Sequence, residues 1–376
     1  MTWHPDYLPT GNPTVSRRRS YGEIPVEERL GVGILGLHEG HTLLVALRAS
    51  GLCRAIAGCD LKKEKREAAL AAAPGLFVTD DYEAMLARPD ISIVAIYTPD
   101  PLHADQIERA FRAGKHVLCT KPLINDPSEA ERLRRASEET GCRLMVGQST
   151  RFGESFQRQR ELFASGAYGE VEVVDAHYNH RMDWYYRKSP WTIRETHWAY
   201  LGLSHPVDLV RWYLGPIQAV HAFGTTTSVG TEFGIPTPDA ITVNLVAENG
   251  RIGRVFGNYG LHELNRARSL IECFLMGSKG SSLARYPDLR FTTTSDAGIE
   301  VEEDFEHSMA GYYYRHELKG MHYGEFCNYV DYFASCLLDG KPNSPDLEEG
   351  LDTVMTMRAI VESLESGQTV NVAHLA

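Results

Sequence analysis

A chain of 376 residues, 43% hydrophobic and 23% charged, is long enough for two globular domains and has the balance of a water-soluble protein. Its formal charge of −12 excludes the basic stripe that nucleic acid or an anionic membrane surface requires, so neither is expected as a partner. Seven cysteines at unrelated spacings, without a Cys-x-x-Cys pair, argue against a disulfide framework or zinc site and for a reduced, cytoplasmic setting.

Residues 1–28 are rich in Pro, Gly and Arg, show no periodicity and read as an N-terminal arm. Arg17-Arg18-Arg19 is followed by no apolar core, which argues against an export signal, and no apolar run is long enough to span a bilayer. From Leu30 the apolar run Val32, Ile34, Leu35 stops at Gly36, and a helical pattern starts by Leu43 and Leu44. That is a buried strand, a tight turn and a helix, the first unit of a dinucleotide-binding fold. Gly31 and Gly33 match a glycine-rich spacing but lie inside the strand. The turn is therefore Gly36-Leu37-His38-Glu39-Gly40-His41.

Strand and helix then alternate. Residues 54–59 form a second strand ending at Asp60, about 20 residues past the turn, where a carboxylate accepts from a ribose 2′-hydroxyl and repels a 2′-phosphate. NAD is thus favoured over NADP; helix capping is the plainer use for the same residue. Residues 91–97 form a buried strand ending in Thr98-Pro99-Asp100-Pro101-Leu102-His103, at the carboxyl edge where a cofactor lies. Helix 106–113, strand 116–119, helix 127–140 and strand 143–146 complete a domain over residues 29–150.

Residues 151–376 change style. Alternating stretches at 170–180, 218–226, 240–247, 253–259 and 269–276, with helices at 156–164, 205–213, 323–338 and 347–366, read as an α+β domain. Three sites could carry chemistry. Lys121 sits at a strand end before Pro122, where desolvation can lower its pKa, although a lone lysine is more often simply solvated. His205, at a helix start with Asp208 three residues on, can exchange a proton with a hydroxyl, or merely satisfy local hydrogen bonds. His177, His180, Arg181, Asp183 and Trp184 put aromatic planes beside polar groups, as a sugar ring needs. Regular strand geometry separates the two histidines, so no metal is expected.

Together these stretches resemble the glucose–fructose oxidoreductase / inositol dehydrogenase / MocA (Gfo/Idh/MocA) family. The resemblance rests on Ala95 to His103, Ala113-Gly-Lys-His-Val-Leu-Cys-Thr-Lys-Pro122, Val146-Gly-Gln-Ser-Thr-Arg-Phe152, Ser165-Gly-Ala-Tyr-Gly-Glu170 and His205-Pro-Val-Asp-Leu-Val-Arg-Trp-Tyr-Leu-Gly215. It implies a Rossmann-type doubly wound parallel sheet followed by an α+β domain with a mainly antiparallel open sheet that pairs subunits, hence a homodimer or homotetramer. It also implies NAD(P)-dependent chemistry at a secondary hydroxyl of a sugar, cyclitol or related polyol, with Lys121 and His205 catalytic. Cofactor contacts are expected at Gly36, His38, Gly40, Asp60, Tyr97, Thr98, Pro99, His103 and Lys121. Substrate contacts are expected at Arg151, His180, Asp183, Trp184, His205 and Asp208. The sequence departs from the family pattern at His38 and His41, which replace glycines, at Thr120, which replaces a glutamate, and at Leu201, which replaces an aspartate four residues before His205. Proton transfer then falls to Lys121 and His205, helped by His197, Tyr200 or Asp208. A redox-neutral enzyme holding NAD tightly, and a non-catalytic NAD- or sugar-binding member, are the alternatives.

Overall fold

The computed structural model describes residues 24–262, 264, 268–288, 290–296, 300–304 and 325–374. Most of the expected N-terminal arm, residues 1–23, lies outside them. Two compact units divide the protein, one reaching Phe152 and taking up the later segment to Gly350, the other covering the remainder.

The first unit is built on six parallel strands, β1 Leu30–Leu35, β2 Cys53–Cys59, β3 Phe77–Thr79, β4 Ile93–Ile96, β5 His116–Thr120 and β6 Leu144–Gly147. Their order, β3-β2-β1-β4-β5-β6, reverses direction between β1 and β4 and makes a crevice at the carboxyl ends of those two strands. The central strands are buried on both faces, which is why they read as unbroken apolar runs. Gly31 and Gly33 do lie within β1: a Cβ on Gly31 would stand 1.9 Å from the Asp90 carbonyl oxygen. They serve strand packing.

Helix Glu325–Leu338, expected to close a second domain spanning 151–376, belongs to the first unit. Phe326, Tyr329, Val330 and Phe333 are buried in one cluster with Val32, Leu43, Leu47 and Phe152. Ring centroids are 5.1 Å apart for Phe326–Tyr329 and 5.3 Å for Phe152–Tyr332. The helix is buried on every face from Glu325 to Cys336, including its polar stripe of Glu325, Asn328, Asp331 and Ser335, so periodicity alone could not show which core it enters. Its address is written in a polar residue: buried Asp331 accepts hydrogen bonds from the Ser50 hydroxyl and, at 3.1 Å, from the Gly51 N–H. Arg143 continues the attachment, donating to the Cys336 carbonyl at 3.0 Å and the Asn343 side chain at 2.7 Å.

The second unit carries a nine-stranded sheet of β7 Val171–Asn179, β8 Ile217–Thr225, β9 Ala240–Ala247, β10 Ile252–Asn258, β11 Ile271–Gly277, β12 Gly280–Tyr286, β13 Arg290–Ser295, β14 Glu300–Asp304 and β15 Val370–Asn371. The order is β14-β13-β12-β11-β7-β10-β9-β8-β15, antiparallel except for the β7–β10 pair. β12 to β14 were not expected from the sequence; they are rich in Ser, Thr and charged residues, with only scattered apolar positions such as Leu283, Phe291 and Val301 to signal them. Helix Ser204–Leu214 packs on one face, where Gly253 leaves room for Val210. Strand register places Phe223, Val246, Ile252 and Phe274 on the opposite face, 57%, 38%, 51% and 38% exposed, with Asn244, Arg254 and Asp175 among them. Among the described residues no helix is long and apolar enough to cross a membrane.

Phe333→Ala should cost about 3–5 kcal/mol in chemical denaturation, the usual loss for a fully buried aromatic ring. A loss below about 1 kcal/mol would contradict the packing of this helix into the first unit's core.

Candidate active site

β1 ends at Gly36, whose φ of +86° is open to glycine and strained for other residues. A Cβ there would lie 2.7 Å from both the carbonyl carbon and the carbonyl oxygen of Tyr97, so the turn seats directly on the end of β4. Gly40 opens helix Gly40–Ala46, and its missing Cβ leaves room for Ile34. Asp60 braces the turn from β2: one carboxylate oxygen accepts from the Leu37 N–H at 2.8 Å, the other from the Lys62 N–H at 2.9 Å. Each oxygen keeps a second lone pair, so a ribose hydroxyl can still be bound. Half-buried His38 and His41 flank the turn. Burial first, then Lys65 and Arg48, hold His41 below its ordinary pKa, so it adds no charge at neutral pH. A turn pivoting on glycines at positions 36 and 40, followed by an acid with spare acceptor capacity, fits a dinucleotide.

Around that turn the expected cofactor residues separate into two groups. Lys121 follows β5 and is half-buried. Burial lowers its pKa to about 8, against the opposing pull of Asp100 and Glu39. Asp100, buried just beyond Thr98-Pro99, and Glu39, from the turn itself, were not singled out in the sequence. The Thr98 hydroxyl donates to the Gln106 side chain.

Three residues expected at ligands instead have internal work. The Tyr97 ring turns into the core against Phe326, 5.8 Å between centroids, and its hydroxyl meets that of Tyr329, which leaves its backbone at the turn. His103 is fully buried at the start of helix His103–Arg112, with both ring nitrogens at carbonyl oxygens. Buried Arg151 donates to Glu349 at 3.0 Å and Ser344 at 3.1 Å, an ion pair within the first unit.

In the second unit, His205 and Asp208 are buried on helix Ser204–Leu214, three residues apart and on one face. The Tyr178 ring lies 5.9 Å from His205 and 6.2 Å from His180, and His180 lies 5.7 Å from Trp184. Tyr178 was missed because β7 runs almost to the cluster, so a residue beside His177 was read as ordinary strand. His177 itself turns away, held by the Ser269 carbonyl at 3.2 Å and Arg268 at 3.0 Å. Asp183 lies between two arginines. Arg181 and Arg187 both hold its carboxylate at 3.1 Å, and their hydrogen bonds outweigh the upward push of burial to keep its pKa low. His197 is not a helper base: its Nδ1 caps helix Trp198–Leu201 by accepting from the Ala199 N–H at 2.9 Å, and burial lowers its pKa to about 4. Among the described residues no group of three or more His, Cys, Asp or Glu could hold a metal ion.

The family model described as "Oxidoreductase family, NAD-binding Rossmann fold" matches residues 30–148, and the "GFO/IDH/MocA C-terminal domain" matches residues 156–282. The chain belongs to the Gfo/Idh/MocA family. It is similar to an inositol 2-dehydrogenase of Mycolicibacterium smegmatis, 31% identical over 211 residues, 56% of this chain and 59% of that protein. The chain thus spans a little over half the length of the inositol 2-dehydrogenases it matches first. A scyllo-inositol 2-dehydrogenase (NADP(+)) of Bacillus subtilis is 24% identical over 80% of this chain and 84% of its own. An oxidoreductase of Agrobacterium radiobacter, solved with NAD+, L-tartaric acid and magnesium, superposes with a TM-score of 0.80 at 20% identity, covering 92% of this chain and 98% of that one, which shows the common fold.

Against the Gfo/Idh/MocA pattern, Leu201 is buried at the end of helix Trp198–Leu201, an apolar residue where many members carry a carboxylate. The Tyr178 ring lies edge-on to His205. At the other departure, Thr120 closes β5 without a charge, while Glu39 supplies a carboxylate that acts on Lys121 from the glycine turn.

Gly36→Ala should destabilise the fold by about 1–3 kcal/mol from backbone strain alone and weaken dinucleotide binding at least roughly tenfold in calorimetry. Unchanged stability together with unchanged binding would contradict the turn's role.

Proposed function

We propose that this chain is an NAD-dependent oxidoreductase acting on a secondary hydroxyl of a sugar, cyclitol or related polyol, with Lys121 and His205 as the proton-transferring residues. The observation that carries this reading is Lys121 itself: a lysine whose pKa of about 8 lets it exchange a proton near neutrality, electrostatically coupled to Glu39 of the dinucleotide turn. Gly36, Gly40, His38, Asp60, Thr98 and Pro99 would hold NAD, which when bound accepts or returns a hydride. The class of substrate is supported by the inositol dehydrogenases among the relatives. It is also supported by the second unit, where Tyr178 and Trp184 offer aromatic faces beside the hydrogen-bonding rings of His180 and His205. Asp208, buried on the His205 face of its helix, completes that polar edge. The large apolar side chains exposed on one sheet face, Phe223, Val246, Ile252 and Phe274, support association into a dimer or tetramer.

Lys121 must be unprotonated to accept a proton from a hydroxyl. Its lowered pKa means that kcat/KM for oxidation should rise with pH through about 8 and then level off. Lys121→Ala and His205→Ala should each lower turnover roughly 10²-fold or more while NAD still binds. Full turnover by either variant on the true substrate would move proton transfer elsewhere.

The Asp60 carboxylate should make NAD bind more tightly than NADP, and Asp60→Ser should narrow the difference in calorimetry. Tighter NADP binding by the unmodified protein would refute this role for Asp60.

A further inference from the structure

We infer that His103 is a positioning residue for Lys121, acting through the backbone that follows the lysine. His103 is wholly buried. Its Nδ1 lies 2.9 Å from the Pro122 carbonyl oxygen and 3.2 Å from that of Leu123, and its Nε2 lies 3.0 Å from the Thr98 carbonyl oxygen. The ring therefore bridges the segment after β5, which carries Lys121, and the segment after β4, which carries Thr98 and Pro99.

All three partners are acceptors, whereas a neutral imidazole has a single N–H. The ring must either bond one side and present a lone pair to the other, or carry a proton on both nitrogens. Burial lowers its pKa, and the Thr98, Pro122 and Leu123 carbonyls oppose that fall, so the site pulls in both directions. In either state His103 donates to at least one of these carbonyls, and an apolar replacement removes that donor. A second contact supports the same role. One turn along the same helix, Gln106 accepts from the Thr98 hydroxyl, so the helix grips the β4 end by two side chains and the β5 end by one. A histidine in a merely filling role has no need of carbonyls at both nitrogens.

The consequence for turnover rests on the reading of Lys121 given above; the mechanical coupling does not. The test is competitive acylation of the Lys121 amine across pH, read by mass spectrometry on the full-length protein, beside steady-state kinetics. In unmodified protein the labelling midpoint should fall near 8. In His103→Phe, which fills the space without a donor, the midpoint should rise by roughly one unit or more toward the ordinary lysine value, and kcat should fall roughly tenfold or more. KM for NAD should change much less than kcat. His103→Gln, which keeps an amide donor, should lie between the two. An unmoved midpoint with unchanged kcat in folded His103→Phe would overturn the inference. If that variant does not fold, the same result in His103→Gln would do so. Should Lys121→Ala keep full turnover while the midpoint still moves in His103→Phe, the positioning role stands and the catalytic reading of Lys121 falls.

Discussion

At Gly36 two backbone segments approach so closely that no side group fits between them: a Cβ would stand 2.7 Å from the carbonyl of Tyr97. The first unit depends on this contact. It joins the ends of β1 and β4 where the strand order reverses, and it fixes the direction in which β1 hands over to helix Gly40–Ala46. It also commits the Tyr97 ring to the interior, against Phe326 and Tyr329. The helix from Glu325 to Leu338 thereby becomes the wall behind the dinucleotide turn. Asp60 closes the arrangement from β2 by accepting the Leu37 N–H.

Much of the fold was legible in the sequence because its signals are local. A strand broken by Gly36, an acid at Asp60 and Pro99 after a buried run each report their own surroundings. The decoy glycines Gly31 and Gly33 were recognisable for the same reason, since they fall inside an apolar run. What escaped depends on partners far along the sequence. The helix over 325–338 shows an apolar surface but not whose core it enters; that is decided by Asp331 meeting Ser50 and Gly51. The strands from Gly280 to Asp304 carry Ser, Thr and acids, residue types that a sheet tolerates near its edge and that periodicity does not mark.

The candidate site shows the same division. Residue type marked Lys121, at a strand end before proline, as a place where desolvation can act, and burial does lower its pKa. Arg151, Asp183 and His103 each have the chemistry of a ligand contact and are also engaged within the protein, with Glu349, with two arginines and with three carbonyls respectively. A sequence reveals what a side group could bind, whereas only the fold reveals what has already bound it. Glu39 and Asp100 were overlooked for the converse reason: acids in a turn and after a proline look like solvated loop residues until burial places them in the field of Lys121.

The most direct measurement is to incubate the purified protein with NAD and a panel of inositols, sugars and related polyols, and to follow the absorbance of NADH. Net formation of NADH with at least one of these compounds is the expected result. Turnover of such a compound with no net NADH, or stoichiometric binding of NAD with no turnover across the panel, would contradict assignment as an oxidoreductase of that class.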